Sequence, residues 1–305
     1  MVLVLILVLI LGLDLGLFAN RLNLTFDVYQ RKTTDLLLPK PLVASSGFTS
    51  IQSNIGKTEN KGLEFGLAGK IFDKKDFSWD ANFNLSLNKN KIVELSGNPY
   101  GAGFASWVEV GQPMGAFRGY RMIGIFQSAA EVAASPTQTI TANALTSTAP
   151  GDVKFADLDG NGVINSNDQE IIGQGNPTYW GGLTNNFRYK NFDLSVFLQG
   201  SVGNDIMNLT YRNGTSNSQL YQNALTDALN YWTVDNPNTN IPRPIGALSN
   251  TNLEISDRYV EDGSYVRIQN VTLGYSLPSS LISKAKLSRV KVYASAQNLF
   301  TFTKY

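Results

Sequence analysis

Residues 77–88 read F-S-W-D-A-N-F-N-L-S-L-N, and apolar and polar side chains alternate through the whole stretch. One set of alternate positions holds only apolar residues, namely Phe77, Trp79, Ala81, Phe83, Leu85 and Leu87. Because successive side chains of a strand point to opposite faces, this pattern predicts a β-strand with one apolar face. The same alternation recurs in residues 21–30, 191–199 and 290–297. We therefore expect an all-β chain.

The length of these runs favours a membrane barrel. Strands of soluble proteins average about 5–6 residues, whereas residues 77–88 form an unbroken run of 12. A strand that crosses a bilayer at a tilt needs about 9–11 residues, with its apolar face against lipid and its polar face against a wet lumen. The pattern therefore predicts an antiparallel transmembrane β-barrel.

Short and long connections alternate along the chain. The short ones are polar and resemble hairpin turns, and they comprise residues 18–21, 72–76 and 189–191. The long ones are rich in Ser, Thr, Asn, Pro and Gly, and they comprise residues 31–59, 128–177 and 202–257. Outer-membrane barrels combine short turns at one side with long extracellular loops at the other. We expect the long segments to be such extracellular loops.

Aromatic residues cluster near the predicted strand ends. They are Tyr29, Phe72, Phe77, Trp79, Tyr179, Trp180, Tyr189 and Phe192. Such positions suit the aromatic girdles at both interfaces of a membrane barrel. Ordinary packing within hairpins would also explain them.

Composition excludes several function classes. The 305-residue chain has a formal net charge of +1, which gives no electrostatic footprint for nucleic acid. It contains neither cysteine nor histidine, so thiolate metal sites, a cysteine nucleophile and a Ser-His-Asp triad are impossible within it. We predict that the chain is not an enzyme.

The first 11 residues form a low-complexity apolar segment of doubtful origin, M-V-L-V-L-I-L-V-L-I-L. The segment is shorter than the roughly 20 residues of a membrane helix, and it lacks the basic start and cleavage site of a signal peptide. An apolar strand and an artefact of truncation or assembly both remain open. We treat residues 12–305 as the barrel portion.

Residues 157–168, D-L-D-G-N-G-V-I-N-S-N-D, have the ligand spacing of a calcium loop. Positions 1, 3, 5 and 12 hold oxygen-bearing side chains, position 7 offers a carbonyl, and Gly162 occupies the sharp turn. The candidate metal ligands are Asp157, Asp159, Asn161, the Val163 carbonyl and Asp168. The alternative is a metal-free loop held by side-chain-to-backbone bonds. In both cases the expected role is structural, with Ca²⁺ as the only expected cofactor.

Four stretches together resemble one family. Residues 60–65 read N-K-G-L-E-F, residues 157–205 run from the acidic loop through G-N-P-T-Y-W-G-G-L-T-N-N-F to G-N-D, residues 259–277 contain Y-V-R-I-Q-N-V-T-L-G-Y, and residues 289–300 end in A-Q-N-L-F. In this order they resemble the SusC/RagA family of TonB-linked outer-membrane proteins, the TonB-dependent receptors. The resemblance extends over nearly all of residues 12–305.

The resemblance implies a 22-stranded barrel with a plug, in the outer membrane of a Gram-negative, Bacteroidetes-like cell. It also implies a SusD-like surface lipoprotein as lid and the TonB complex as energy source. In this sequence we recognise neither a plug nor a TonB box, and at its hairpin spacing we expect room for only about ten strands. We therefore expect a partial barrel from the C-terminal side of a longer receptor.

Two functions stay open at this stage. The first is part of a TonB-dependent importer of oligosaccharides or peptides, and the second is a secreted or surface calcium-stabilised β-rich binding module. Loop aromatics are candidates for substrate contact or loop packing: Tyr100, Phe104, Trp107, Tyr211, Tyr221, Tyr231 and Trp232. The importer requires Phe83, Leu85, Leu194 and Val196 to face lipid, whereas the module requires them in a closed core.

Overall fold

The computed structural model describes residues 5–95, 97–103, 105–140, 148–216, 223–245 and 251–305. Its strands in chain order are β1 (Leu5–Leu17), β2 (Leu22–Pro41), β3 (Ser50–Asp73), β4 (Phe77–Leu95), β5 (Tyr100–Gly101), β6 (Ser106–Val108), β7 (Ala116–Tyr120), β8 (Met122–Ile125), β9 (Thr137–Gln138), β10 (Val153–Phe155), β11 (Val163–Ile164), β12 (Gln169–Gln174), β13 (Tyr179–Tyr189), β14 (Phe192–Val202), β15 (Asp205–Met207), β16 (Val260–Asp262), β17 (Tyr265–Ser276) and β18 (Lys291–Thr303). Three short α-helices accompany them, α1 (Ala129–Ala134), α2 (Leu209–Gly214) and α3 (Ser279–Ile282). Turns of 3₁₀-helix lie at Ala44–Ser46, Ser166–Asp168, Thr226–Asn230, Thr251–Leu253, Asp257–Tyr259 and Ser283–Ala285. Of the helices in the described ranges, none is long and apolar enough to cross a membrane.

Eight long strands form one open antiparallel sheet in the order β1-β2-β3-β4-β13-β14-β17-β18. This partial barrel confirms the all-β, antiparallel prediction. The described residues contribute eight strands to it, against the roughly ten that hairpin spacing suggested. The difference arises because the remaining strands are short and lie in the segments between β4 and β13 and between β14 and β17.

The short connectors are hairpin turns, as predicted. Strands β1 and β2 are joined by Phe18, Ala19 and Asn20, all with positive φ between 53° and 63°. Strands β13 and β14 are joined through Lys190, whose φ is 52°. Consecutive left-handed residues reverse the chain within the natural twist of two paired strands. All the tight turns between long strands thus lie at one end of the sheet, in the part of the chain that the structure describes.

The pairing register aligns apolar residues across the whole sheet. One row contributes a residue from every strand and is entirely apolar: Leu15, Leu24, Leu67, Phe83, Leu183, Leu198, Ile268 and Phe300. The adjacent row, on the opposite face, contains only polar residues and glycines: Asp14, Thr25, Gly66, Asn84, Gly182, Gln199, Arg267 and Thr301. We call these the outward and inward faces, after the outward apolar face of a membrane barrel.

The residues that separate the two open functions lie on the outward face of a single-layer sheet. Phe83, Leu85, Leu194 and Val196 are partly exposed, and none belongs to the buried apolar core of the described residues. The soluble module needed them packed inside a closed sandwich. The observed arrangement is therefore the one that a membrane barrel requires.

Aromatic residues mark both ends of the outward face. At the tight-turn end one paired row is aromatic across four strands: Phe77, Tyr189, Phe192 and Tyr275. Tyr179 lies ten residues from Tyr189 on the same face of β13. That spacing is about 33 Å along the strand, or roughly 25 Å at a tilt near 40°, which matches the apolar band of a membrane barrel.

Two of the eight predicted girdle aromatics face the other way. Tyr29 and Trp180 lie on the inward face, because each is an odd number of residues from the outward positions of its strand. The Tyr29 ring covers Gly62 of the neighbouring strand, where a side chain would collide with it. Its hydroxyl lies 3.2 Å from the Asn88 amide oxygen. Tyr29 is therefore part of the inward polar network and not of a girdle.

The predicted long loop at residues 31–59 is mostly strand. Strand β2 continues to Pro41 and β3 begins at Ser50, so residues 42–49 are the whole connection. The pairing contains an irregularity between Thr33 and Leu36, where Asp35 adopts a φ of 58°. Because this bulge shifts the alternation by extra residues, the period-two pattern breaks there although the pairing continues.

The apolar segment at the start of the chain lies in strand β1 from Leu5 onward, and that strand crosses residue 11 without a break. Its partners on β2 run from Thr34, opposite Leu5, to Leu22, opposite Leu17. Both faces of β1 are apolar over Leu5–Leu11, unlike those of the other seven strands.

Adjacent positions on β4 provide a test of the two faces. We expect Phe83→Arg to lower the free energy of unfolding by about 2–4 kcal/mol, because it places a cation near the middle of the apolar band. The matched variant Asn84→Arg puts the same cation on the inward face and should change it by less than about 1 kcal/mol. Denaturant unfolding in lipid vesicles measures both, and equal losses would contradict the assignment of the faces.

Candidate functional site

The segments beyond the ends of the long strands fold into a cap with its own core, comprising residues 97–178 and 203–264 within the described ranges. Tyr120, Val153, Phe155 and Ile164 form a buried apolar cluster, each at most 2% exposed. The rings of Tyr120 and Phe155 lie 5.2 Å apart. Burial raises the pKa of Tyr120 to about 12. The described residues of the two segments predicted as long loops, residues 128–177 and 202–257, are therefore parts of a packed body.

Hydrogen bonds join the two cap segments. The Tyr120 amide donates to the Ile255 carbonyl at 2.8 Å, and the Met122 amide donates to the Asp257 carboxylate at 2.8 Å. The Val153 amide donates to the Asn252 side-chain oxygen, also at 2.8 Å. The bonded residues are about 100 or more positions apart, so each bond ties one cap segment to the other.

A buried carboxylate lies at the centre of this junction. Asp152 is 1% exposed, and its two oxygens receive the Nε and Nη2 groups of Arg243 at 2.8 and 3.1 Å. The Asn252 amide and the Ala149 backbone N–H donate to the same carboxylate. A buried charge with a bidentate partner and further donors is the arrangement that offsets its desolvation. Sequence reasoning missed this pair because its members are 91 positions apart.

The acidic loop lies at the edge of the cap and is organised by its own carboxylates. Asp157 accepts hydrogen bonds from the Gly160 and Gly162 amides, each at 2.8 Å. Both glycines have positive φ, 71° and 81°, a conformation that other residues adopt at a cost. The N–H of Gly162, more than that of Gly160, holds the pKa of Asp157 below its ordinary value.

Asp168 holds the two ends of the acidic loop together by hydrogen bonds. The residue is fully buried, and its two oxygens accept the Leu158 and Asn165 amides at 2.8 Å each. It thereby ties the start of the loop to its end. Among the described residues no lysine or arginine forms an ion pair with Asp157, Asp159 or Asp168.

The structure brings together three of the five predicted metal ligands. Asp157, Asp159 and Asp168 each place one carboxylate oxygen within 4.8 Å of the others, a donor set that fits a hard cation. The Asn161 oxygen instead accepts the Val163 amide at 2.8 Å, and the Val163 carbonyl lies 3.4 Å from the Asn165 amide group. Metal ligation and the metal-free network of turns both fit these contacts.

Two of the loop aromatics, Trp232 and Trp107, contact other side chains of the cap. Tyr100, Tyr211 and Tyr231 are partly exposed. Trp232 is 9% exposed and donates to the Gln127 side chain at 2.9 Å. The Trp107 indole N–H donates to the Glu109 carboxylate at 2.9 Å. The Arg118 guanidinium lies over the Trp107 ring, 4.2 Å from the ring centre. Phe104 and Tyr221 lie outside the described residues.

The inward face carries a polar cleft of about 360 Å³ below the cap. Its lining includes two neighbouring carboxylates, an amide and an indole: Asp27, Glu64, Asn84 and Trp180. Asp27 and Glu64 are paired directly across β2 and β3. The cleft offers acceptors for hydrogen bonds beside a flat apolar ring, the combination that a polar solute with apolar faces requires.

The acidic loop should respond to pH through Asp157. Because its pKa is lower in the fold than in the unfolded chain, its charge stabilises the loop above the unfolded value of about 3.9. That stabilisation is lost as pH falls through the folded pKa. We expect amide-exchange protection of Gly160 and Gly162 to be constant near neutral pH and to fall below about pH 4. Asp157→Asn should weaken this protection at neutral pH, whereas Asp227→Asn, elsewhere in the cap, should leave it unchanged.

Comparison with known proteins yields several relatives. The chain is 42% identical over 303 residues to TonB-dependent receptor P3 of Formosa agariphila, covering 96% of this chain and 29% of that protein. It is 30% identical over 308 residues to TonB-dependent receptor SusC of Bacteroides thetaiotaomicron, covering 96% of this chain and 28% of SusC. No family model matches the chain. The chain thus spans less than a third of the length of the curated relatives it matches.

A solved structure, that of the RagAB peptide transporter, matches the fold. It superposes with a TM-score of 0.79 at 27% identity, covering 98% of this chain and 32% of that chain. The sheet, its alternating faces and these relatives agree with one another. The chain is a partial β-barrel of the SusC/RagA group of TonB-dependent receptors.

Proposed function

We propose that this chain forms part of the wall and the outer cap of a TonB-dependent importer in the outer membrane of a Bacteroidetes-like bacterium. The main support is the continuous apolar row across eight strands, backed by a polar row and capped at the end opposite the tight turns. Such a wall separates lipid from a wet passage. The open edges at β1 and β18 need further strands, because unpaired backbone groups are costly in lipid.

We propose oligosaccharides or peptides as the cargo, with the inward face as the surface along which they pass. The RagAB protein is described as a peptide transporter, which supports the peptide side of this proposal. Asp27, Glu64 and Trp180 line the inward cleft and offer hydrogen-bond acceptors beside an aromatic ring. Sugars and peptides both combine polar groups with apolar surfaces that such a site accommodates.

A SusD-like lipoprotein would close the cap side as a lid, and the TonB complex would supply energy from the tight-turn side. The RagAB importer is described in a closed-closed and an open-open state, which supports an assembly that opens and closes. The packed cap, held by the ion pair of the buried Asp152 with Arg243, would offer such a lid a rigid surface to bind.

Uptake by cells that carry single variants tests the importer. We expect Trp180→Ala to lower uptake of a limiting peptide or oligosaccharide about tenfold, the effect of losing one contact of ~1.4 kcal/mol. The control Tyr179→Ala removes an aromatic from the outward face of the same strand and should leave uptake unchanged at equal receptor levels. Labelled peptides and oligosaccharides assayed in parallel identify the cargo, and uptake of neither in parent cells would refute the proposal.

We also propose that the acidic loop binds Ca²⁺ as a structural ion. Asp157, Asp159 and Asp168 would contribute carboxylate oxygens, with Asn161 and the Val163 carbonyl as further ligands. The ion would supply positive charge to three carboxylates for which the described residues provide no ion-pair partner. It would brace the cap and would take no part in transport chemistry.

Proteolysis with and without Ca²⁺ tests the ion. Asp157→Ala combined with Asp159→Ala should expose residues 150–177 to cleavage and leave the barrel strands resistant, and chelation of the parent should do the same. The paired control, Asp227→Ala with Asp235→Ala, removes two exposed carboxylates elsewhere in the cap. If chelation leaves the cleavage rate of the parent unchanged, the loop holds itself without metal.

A further inference from the structure

The apolar outward face ends at the same level on three neighbouring strands. Val28, Leu63 and Leu87 are paired in one row of β2, β3 and β4. At the next outward positions toward the cap, the side chains change from apolar to polar or charged. Because each strand rises about 3.3 Å per residue, the next outward positions lie about 7 Å farther toward the cap.

Those next positions carry a cluster of lysines. The first row beyond the apolar band pairs Gln30, Lys61 and Lys89, and the second pairs Lys32, Glu59 and Lys91. All four lysines are exposed. Glu59 lies 3.4 Å from Lys61 and is the single acidic residue in the two rows of these strands. Four lysines against one glutamate leave a net charge of +3 on this patch, which we call the lysine collar.

A cleft of about 630 Å³ adjoins the lysine collar. Its lining includes Leu63 and Leu87 from the end of the apolar band and Lys61, Lys89 and Lys91 from the collar, together with polar residues of the inward face and of the cap. Apolar and cationic residues therefore line one concave surface. An amphiphile with an anionic head and hydrocarbon chains has the complementary order of groups.

We propose that the lysine collar binds the phosphate groups of an anionic glycolipid in the outer leaflet. The inference rests on the proposed membrane location, because it places the collar where the apolar band meets the headgroups. Lysine is a point charge that binds phosphate without a fixed geometry, and its stem lies along apolar surface while its head stays at the interface. Basic residues next to a membrane surface attract anionic headgroups, and salt screens this attraction.

Lipid binding by the full-length protein in detergent tests the collar. The probe is a monophosphorylated lipid A, compared with the same lipid after removal of its phosphate, with bound lipid counted by native mass spectrometry. We expect Lys61→Gln, Lys89→Gln and Lys91→Gln together to weaken binding of the phosphorylated lipid about 100-fold. The corresponding triple arginine variant should retain it, because it keeps the charge.

A matched control replaces three exposed lysines away from the collar, namely Lys74, Lys75 and Lys284, by glutamine and should bind like the parent. Heat-modified gel mobility confirms that each variant keeps its barrel. Equal binding of the lipid with and without phosphate, equal binding by the glutamine variant and the parent, or full competition by inorganic phosphate would each overturn the inference. If the glutamine variant loses lipid binding but keeps uptake, the proposed importer function is unaffected. If the protein is absent from the outer membrane, the importer function itself is refuted.

Discussion

The pairing register of the eight long strands is the constraint on which the rest of the molecule depends. Because side chains alternate with a period of two, a slip by one residue would carry a whole strand's apolar set from lipid to the lumen. The row from Leu15 through Phe83 to Phe300 shows that every strand obeys the same phase. Where pairing becomes irregular, β17 carries an extra residue between Ile268 and Asn270, opposite the continuous pair Phe197 and Leu198 of β14. The strands on either side of β17 keep the phase of their apolar faces across this bulge.

The register also explains how the cap is placed. Strand β4 pairs with β13 only from Phe77 to Leu87, so its upper end has an open edge. The chain fills part of that edge itself, since the Ile92 amide donates to the Gln112 carbonyl and the Gly111 amide to the Ile92 carbonyl, both at 2.9 Å. The cap is thus joined to the wall by continued backbone pairing, and the buried Ile92 lies at the joint.

Local patterns in the sequence predicted the parts of the structure that depend on local chemistry. The alternation around Phe83 predicted a strand and its faces, and the acidic trio came together because its members lie within 12 residues of one another. The extension of β2 escaped prediction because the bulge at Asp35 interrupts the period. The inward placement of Tyr29 was within reach of the sequence, since counting by twos from Leu22 excludes it from the outward set.

Other features have no local signature at all. Arg243 meets Asp152 across 91 positions, and neither residue is set in a distinctive motif. The packed nature of the cap depends on such distant pairs, which is why polar composition alone predicted loops. Segments rich in Ser, Asn and Gly satisfy their backbone groups by side-chain hydrogen bonds, as Asn252 does for Val153, and so form a core with few large apolar residues.

The hairpin of β2 and β3 has a further consequence because of its length. Strand β3 alone contains 24 residues, of which crossing the bilayer takes about 9–11. The remaining stretch has a contour length of roughly 45 Å at about 3.3 Å per residue. The two paired strands therefore extend well beyond the bilayer. A molecule that approaches this side of the wall, such as an antibody, contacts residues 42–49 before it contacts the lipid.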